Sequence, residues 1–256
     1  MSPALHLSCF AILKRSSHSE LFFVIIFFAG RKISKILANE QPKVTKFVLA
    51  SEEVFQKIIT FAKNNRYPME KELQAALEVL RAGGLILYPT DTVWGIGCDA
   101  TNAEAVEKIY KLKQSENKNS MIVLCHDADM IVRYVNKAPG IAFEVMEMSE
   151  KPITLILQGA VGVASNLVPE DGTLGVRVPR HDFCQQLLYK FRKPIVSTSA
   201  NISGEPTPLK GLKDVSREII DGVDFVVNPR FQGKPTCQPS SIVAFGERGE
   251  VEIIRK

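Results

Sequence analysis

The fold is decided by residues 85–97, Leu-Ile-Leu-Tyr-Pro-Thr-Asp-Thr-Val-Trp-Gly-Ile-Gly, where an apolar run stops at a proline. The run at 85–87 suits a strand covered on both faces, and Pro89 cannot donate to a sheet ladder, so pairing should stop there. Beyond it, Gly95 and Gly97 allow close approach of the backbone to a ligand, and Trp94 can wall a pocket. The stretch is either a strand leading into a polar binding loop or a turn capped by Asp91, because turns use the same residues.

Helical and strand periods alternate from residue 69 onward. Apolar residues recur at three and four positions between 73 and 80, which is typical of a helix ending at Gly83-Gly84. Further helices are predicted from Thr101 or Asn102 to Lys113, after Asp127, and at 141–148, 183–191 and 209–220. Strands are predicted at 85–87, 121–125, 153–157, 174–178, 195–197, 225–227, 241–245 and 251–254. Strands interleaved with helices indicate an α/β fold with a mixed twisted sheet.

The first 68 residues differ from the rest in charge. They hold 10 Lys and Arg against 4 Asp and Glu, a net charge of +6, whereas residues 69–256 hold 22 against 24, a net of −2. Residues 21–30 are strongly apolar but span only half of the ~20 residues that a membrane helix needs. We therefore expect no membrane association, and we interpret residues 1–68 as an extension, or a start placed too early, before a domain at 69–256.

Several kinds of chemistry find no support in the composition. The 5 cysteines are odd in number and scattered, as are the 4 histidines, so neither a disulfide framework nor a metal site made of protein side chains is indicated. Most of the thiols are expected to be small buried hydrophobic groups. The sequence contains no P-loop, no Rossmann fingerprint and no Gly-x-Ser-x-Gly elbow. A site that binds and positions its substrates is therefore favoured over one that relies on a nucleophile.

Polar side chains cluster after several of the predicted strands and helices. Four hydroxyls and an amide fall within residues 197–203, directly after a strand, and a second pair of hydroxyls stands at Ser240 and Ser241. Such loops can cradle a carboxylate or a phosphate, although a capping loop remains an alternative. Lys113 either meets phosphate oxygens or complements the end of its helix. Arg177 lies inside an apolar strand and needs an anionic partner, which is as readily a structural carboxylate as a ligand.

Five of these motifs, in this order and at these separations, resemble the YrdC-type threonylcarbamoyl-AMP synthase family over residues 69–256. They are Tyr88-Pro-Thr-Asp-Thr-Val-Trp-Gly-Ile-Gly97, the helix ending at Lys113, Arg177-Val-Pro179, Ser197-Thr-Ser-Ala-Asn-Ile-Ser-Gly204 and Pro239-Ser-Ser-Ile-Val243. The resemblance implies an open sheet with flanking helices that form a concave pocket. It also implies a cytoplasmic nucleotidyltransferase that converts L-threonine, bicarbonate and ATP, with Mg²⁺, into threonylcarbamoyl-AMP and pyrophosphate. The product would pass to a tRNA threonylcarbamoyl-transferase complex that modifies adenosine 37 of tRNAs reading codons that begin with A.

The same resemblance assigns roles to individual residues. Lys113 and Arg177 would be the catalytic residues. The threonine side would be formed by Thr92, Arg177, Ser197, Ser240 and Ser241. The ATP side would be formed by Lys113, Ser115, Asn119, Thr173, Ser199, Asn201, Thr207 and Arg255.

One position departs from the family pattern. The family's basic motif is Lys-x-Arg, whereas this chain has Lys113-Gln114-Ser115, which removes a bidentate phosphate donor. Loss of one charge-assisted contact costs on the order of 2 kcal/mol in transition-state binding. The departure keeps open a second hypothesis, namely a YrdC/YciO-type paralogue that binds tRNA or double-stranded RNA without synthase activity. The net charge of −2 over residues 69–256 argues against it, because affinity for RNA comes mainly from neutralised phosphates.

Overall fold

In the computed structural model, the described residues are 9–15, 21–27, 68–115 and 121–256, and the chain divides into two compact units. The unit Met1–Arg66 contains an antiparallel pair formed by strands β1 (Cys9–Arg15) and β2 (Leu21–Phe27). The unit Tyr67–Lys256 contains all of the sequence motifs described above. Among the described helices, none has both the length and the apolar character needed to cross a bilayer. The interpretation of residues 1–68 as an extension stays a prediction.

The second unit is built on a mixed sheet of ten strands with an open strand order, which confirms the predicted fold class. The strands are β3 (Ile86–Tyr88), β4 (Gly95–Gly97), β5 (Ile122–Leu124), β6 (Val135–Lys137), β7 (Ile153–Ala160), β8 (Thr173–Arg177), β9 (Ile195–Ser199), β10 (Phe225–Val226), β11 (Ser241–Phe245) and β12 (Val251–Arg255). Their order is β10-β3-β4-β9-β5-β8-β7-β11-β12, with β6 paired to β7. The pairs β10/β3, β5/β8 and β7/β11 are parallel, and the other pairs are antiparallel.

Helices cover both faces of this sheet. They are α1 (68–81), α2 (Ala103–Lys113), α3 (Ala128–Tyr134), α4 (Gly140–Met148), α5 (Asp182–Phe191) and α6 (Arg217–Asp221). One apolar core joins α1 and α5 to Ile86, while the other joins α2, α3 and α4 to Leu87. Adjacent residues of β3 therefore enter different cores, which explains why this strand is an unbroken apolar run.

The structure corrects the predicted helix at 209–220. Gly211 has a φ of +94°, a value that side-chain-bearing residues rarely adopt, so a continuous helix is interrupted there. The segment instead forms a 3₁₀ turn at Leu212–Asp214, and Ser216 then caps α6 by accepting a hydrogen bond from Ile219 N. The strand β6, three residues long, was not predicted because its sequence carries no alternating pattern.

The two glycines after the polar loop lie in a strand of the sheet. Pairing of β3 does end at Tyr88, before the proline, but Gly95 and Gly97 then form β4 between β3 and β9. A Cβ on Gly97 would lie 2.7 Å from Tyr88 Cε1 and 2.7 Å from Val196 O. Gly97 therefore lets β4 pack against β9 and the Tyr88 ring, and its predicted role in approaching a ligand stays a prediction.

An irregular register joins the last two strands. The consecutive residues Ile242 and Val243 of β11 pair with Arg255 and Ile253 of β12. The strand β12 therefore contains one additional residue at this point. Such a bulge reverses the alternation of side chains along the strand. Arg255 consequently lies on the other face of the sheet from Ile253.

Candidate active site

The polar loop after β3 meets the end of β8 in a buried contact between Thr92 and Arg177. Arg177 Nη1 donates to Thr92 Oγ1 at 3.0 Å, and the two residues are 4% and 3% exposed. The two residues are 85 positions apart in the chain, and the loop after β3 brings Thr92 to the last residue of β8. The structure thus brings together two of the five residues that the resemblance assigned to the threonine side.

Asp91 supplies the carboxylate that Arg177 requires. Its Oδ1 lies 3.5 Å from Arg177 Nη2, and its Oδ2 accepts a hydrogen bond of 3.0 Å from Arg180 N. The side chains of Asp91 and Arg177 are 9% and 4% exposed, so their charges are screened little by water. The sequence left open whether Arg177 would pair with a structural carboxylate or with a ligand. The structure shows the carboxylate of Asp91, together with the hydroxyl of Thr92. The alternative of Asp91 as a local turn cap is not what the structure shows, because this carboxylate reaches residues of another element.

Besides Asp91 Oδ1, two donors near this contact have no hydrogen-bond partner among the described residues. They are Arg177 Nε and the hydroxyl of Tyr88, and both residues are buried. The side chain of Ser197 lies close enough to the Tyr88 hydroxyl to favour the ionised form of the tyrosine. The two side chains do not, however, have ordinary hydrogen-bond geometry. Burial nevertheless raises the pKa of Tyr88 far above its usual value, so the hydroxyl keeps its proton. Buried polar groups are normally paired, so these two donors are suited to a ligand.

The hydroxyl-rich segment after β9 is held by Lys113. Its ammonium donates to Ser199 O and to Asn201 O, each at 2.6 Å, and its own carbonyl accepts from Ser203 N. Asn201 Nδ2 donates to Glu205 O at 2.9 Å and so closes the turn. In this arrangement Lys113 ties the end of α2 to the loop that was predicted to cradle substrate.

Burial also changes the acidity of Lys113. The residue is 3% exposed, and burial lowers its pKa to about 8 from 10.5. The two carbonyl oxygens act in the opposite direction, because they accept only from a donor and favour the ammonium. Burial is the larger effect, because it penalises the charged form at any nearly dry position.

A further pair of hydroxyls lies where β7 and β11 run side by side. Ser240 Oγ and Thr154 Oγ1 are 2.7 Å apart and buried, and Ser240 O accepts from Arg255 Nε at 2.9 Å. Partial burial lowers the pKa of Arg255, and the positive charge of Arg177 lowers it further. The two guanidinium groups thus repel each other across the site, and an anion between them would relieve that repulsion.

The segment at 232–240 is attached to the polar loop by its backbone. Thr236 N donates to Asp91 O at 2.9 Å, and Cys237 N donates to Thr92 O at 3.1 Å. Trp94 Nε1 donates to Gln232 Oε1 at 2.8 Å, and the indole is 1% exposed. Trp94 is therefore a core residue that anchors this segment, rather than the pocket wall that the sequence predicted.

The remaining predicted residues are less closely gathered. Ser115 is 9% exposed and its N–H donates to Tyr110 O at 3.1 Å. Thr173 Oγ1 donates to Asp171 Oδ1 at the start of β8. Ser199, Thr207 and Ser241 are half-buried, and Asn119 lies outside the described residues. Their roles toward ATP or threonine stay predictions.

Sequence reasoning missed three contributors to this site. Nothing in the sequence indicated that Thr154, a threonine within an apolar strand, would contribute. The sequence also did not indicate that the Lys113 ammonium would donate to two backbone carbonyls. Thr90 was seen only as part of a polar loop, although it bonds Thr92 directly. The need of Arg177 for an anion was a usable signal, and Asp91 meets it in the structure.

Most of the thiols between residues 98 and 237 are buried. Cys98, Cys125 and Cys184 are buried free thiols, as predicted for most of the cysteines, and burial raises the pKa of each. Cys237 is exposed. Within residues 68–115 and 121–256, no three His, Cys, Asp or Glu side chains are arranged to hold a metal ion.

Comparison with known proteins identifies the family of this chain. Residues 78–256 match the model of the Sua5/YciO/YrdC family, whose description reads "Telomere recombination". The chain belongs to this family. Among Sua5/YciO/YrdC relatives, a threonylcarbamoyl-AMP synthase of Pseudoalteromonas translucida is 30% identical over 176 residues, covering 68% of this chain and 92% of that protein. The uncharacterized protein YciO of Escherichia coli K12 is 28% identical over 172 residues, covering 66% of this chain and 83% of YciO.

Solved structures of the Sua5/YciO/YrdC family share the fold. Sua5 of P. abyssi complexed with L-threonine matches with a TM-score of 0.62 at 24% identity, over 68% of this chain and 50% of that one. The crystal structure of E. coli YciO matches with a TM-score of 0.59 at 24% identity, over 73% of this chain and 89% of that one. This chain spans about half the length of the Sua5 structures. The family therefore includes both proteins named threonylcarbamoyl-AMP synthase and YciO. Family membership alone does not assign the activity, so the assignment depends on the residues of the site.

Proposed function

We propose that this protein is an enzyme that forms L-threonylcarbamoyl-AMP and pyrophosphate from L-threonine, bicarbonate and ATP. The observation that carries this proposal is the buried contact between Thr92, in the loop after β3, and Arg177, the last residue of β8. It offers a hydroxyl for a polar substrate group, and the unpartnered Nε of Arg177 for an anion. The relatives named threonylcarbamoyl-AMP synthase, and the Sua5 solved with L-threonine, support the same substrate.

The reaction needs positioning and charge stabilisation more than a protein nucleophile. The ammonium group of threonine first loses a proton, and the free amine then attacks the carbon of bicarbonate, so that water leaves as the carbamate forms. A carbamate oxygen then attacks the α-phosphorus of ATP, and pyrophosphate departs. Holding three reactants in line and opposing the negative charge that develops at phosphorus are the contributions that an enzyme makes to phosphoryl-type transfers.

The ATP side is proposed to lie toward Arg255 and the segment after β9. Arg255 supplies a cation near Arg177, while Ser199, Asn201 and Thr207 offer hydroxyl and amide groups. Mg²⁺ would be held mainly by the phosphate oxygens, where it would offset their charge. Lys113 would need to exchange its two carbonyl partners for phosphate oxygens before acting on ATP.

Pyrophosphate release by the full chain tests the proposal. It should require threonine, bicarbonate and ATP together, and threonylcarbamoyl-AMP should be found by mass spectrometry. Thr92→Val should lower the rate, because it removes the hydroxyl that Arg177 contacts. Thr101→Val is the matched control, since its hydroxyl bonds Asp99 and Lys193 at the opposite end of β9. Wild-type protein that binds threonine but releases no pyrophosphate would refute the proposed activity.

Ser115 makes a second test possible. The family's arginine at this position would add a phosphate contact, so Ser115→Arg should raise ATP turnover about tenfold or more. Because Ser115 is 9% exposed, circular dichroism and the melting temperature must first show that the variant is folded. A folded variant with unchanged turnover would show that the serine does not limit the rate.

The substitution at Ser115 also favours a second candidate function, a YciO-like protein that binds double-stranded RNA or tRNA without synthase activity. RNA affinity that falls steeply with salt, in a chain that releases no pyrophosphate, would support it. If the synthase proposal holds, the labile product would pass to a tRNA threonylcarbamoyl-transferase complex acting on adenosine 37.

A further inference from the structure

The polar loop contains a chain of hydrogen bonds that begins at Arg177 and ends on a backbone carbonyl. Arg177 Nη1 donates to Thr92 Oγ1 at 3.0 Å, and Thr92 Oγ1 lies 2.9 Å from Thr90 Oγ1. Thr90 Oγ1 donates to Val93 O at 2.7 Å and accepts from Thr92 N at 3.1 Å. Thr90 and Thr92 are 2% and 3% exposed, so water does not compete freely for these bonds.

The direction of this chain follows from counting hydrogens. A hydroxyl has one hydrogen, and a carbonyl oxygen can only accept. The hydrogen of Thr90 is therefore used on Val93 O, and the contact between the two threonines needs the hydrogen of Thr92. Arg177 has only donors, so it occupies one lone pair of Thr92 Oγ1. Thr92 is left with one lone pair and no hydrogen to offer.

We infer that Thr90 is a positioning residue that fixes the Thr92 hydroxyl as a hydrogen-bond acceptor, directed to the amino group of the amino-acid substrate. This inference rests on the proposed function. The unpartnered Nε of Arg177 suits the substrate carboxylate, and the amino group is attached to the neighbouring carbon. An acceptor at Thr92 then receives an N–H and disfavours a carboxylate or phosphate oxygen in the same place.

The fixed polarity also suits the reaction. When the substrate ammonium and bicarbonate form the carbamate, one N–C bond forms, one C–O bond breaks, and one water and one proton are released. The carbamate nitrogen keeps one N–H. The acceptor at Thr92 therefore stays matched to the nitrogen from the bound amino acid to the carbamate, and no hydroxyl has to turn during the step.

Ligand discrimination by Thr90 variants of the full chain tests the inference. Calorimetry would measure the binding of L-threonine and of (R)-3-hydroxybutanoate, which lacks the amine, to wild type, Thr90→Val and Thr90→Ser. In Thr90→Val the Thr92 hydroxyl can turn its hydrogen toward the ligand, so affinity for threonine should fall about tenfold. Affinity for 3-hydroxybutanoate should not fall, and Thr90→Ser should behave as wild type. If the valine variant does not fold, Thr90→Ala is measured in its place.

The outcomes separate this inference from the proposed function. A wild-type chain that binds no threonine would overturn both. A wild-type chain that binds threonine, with a valine variant that binds it equally well, would overturn only the role of Thr90. An equal loss for both ligands would also overturn it, because a general disturbance of the loop does not select for the amine.

Discussion

The pH dependence of stability should carry the signature of one buried group, Lys113. In the folded protein its pKa is lowered by burial to about 8, against 10.5 for the exposed side chain. Between these values the unfolded chain binds more protons than the folded one, so stability rises with pH across that window. At one pKa unit per 1.36 kcal/mol, the full effect is up to about 3 kcal/mol, of which about 2 kcal/mol is gained by pH 9.5.

Comparison with Lys113→Met isolates this effect, because all other titrating groups are shared by the two proteins. Urea unfolding curves at pH 7, 8, 9 and 9.5 should show wild type gaining on the variant by about 2 kcal/mol. Lys111→Met is the control on the same helix, since the Lys111 side chain is 75% exposed and its charge stays in water. Parallel pH profiles for wild type and Lys113→Met would refute the reasoning. They would show that the two carbonyl partners fully offset the cost of burying the ammonium.

Two further predictions concern the loop and strand at the centre of the sheet. Gly97→Ala should destabilise the fold by about 3 kcal/mol in urea unfolding, because its Cβ meets backbone at 2.7 Å. Gly140→Ala, where a Cβ meets nothing within 4 Å, should be neutral or slightly stabilising, and equal losses at both positions would contradict the steric argument. Asp91→Asn should cost about 3 kcal/mol, because it leaves the charge of Arg177 buried without its carboxylate. Adding Arg177→Met to that variant should recover part of the loss, and a purely additive double variant would show that the pair does not interact.

Much of the fold could be predicted because its signals are local. The spacing of apolar residues between 73 and 80 located α1, and Asn102 and Asp127 cap α2 and α3 as expected. The predicted helix at 209–220 failed for an equally local reason, since only the structure shows that Gly211 takes a left-handed conformation. Nothing in a helical apolar spacing excludes such a break.

The candidate site could be predicted only in part because its bonds cross the sheet. The hydroxyl-rich segments were found from composition, but the pairing of Asp91 with Arg177 depends on the path of the loop after β3, which brings Asp91 to the end of β8 although the two strands run in opposite directions. The orientation of Lys113 depends on β9 extending to Ser199, two residues beyond its predicted end. Such contacts are set by strand order and strand length, which propensities do not specify.

Because of the bulge between β11 and β12, the position of Arg255 depends on the number of residues in β12. In a regular strand, Arg255 would lie on the same face as Ile253, but the additional residue brings it to Ser240 and near Arg177. Deleting or inserting one residue in β12 would turn this cation away from the site without altering any residue in it. The length of the last strand, and not only its sequence, is therefore part of the charge balance of the pocket.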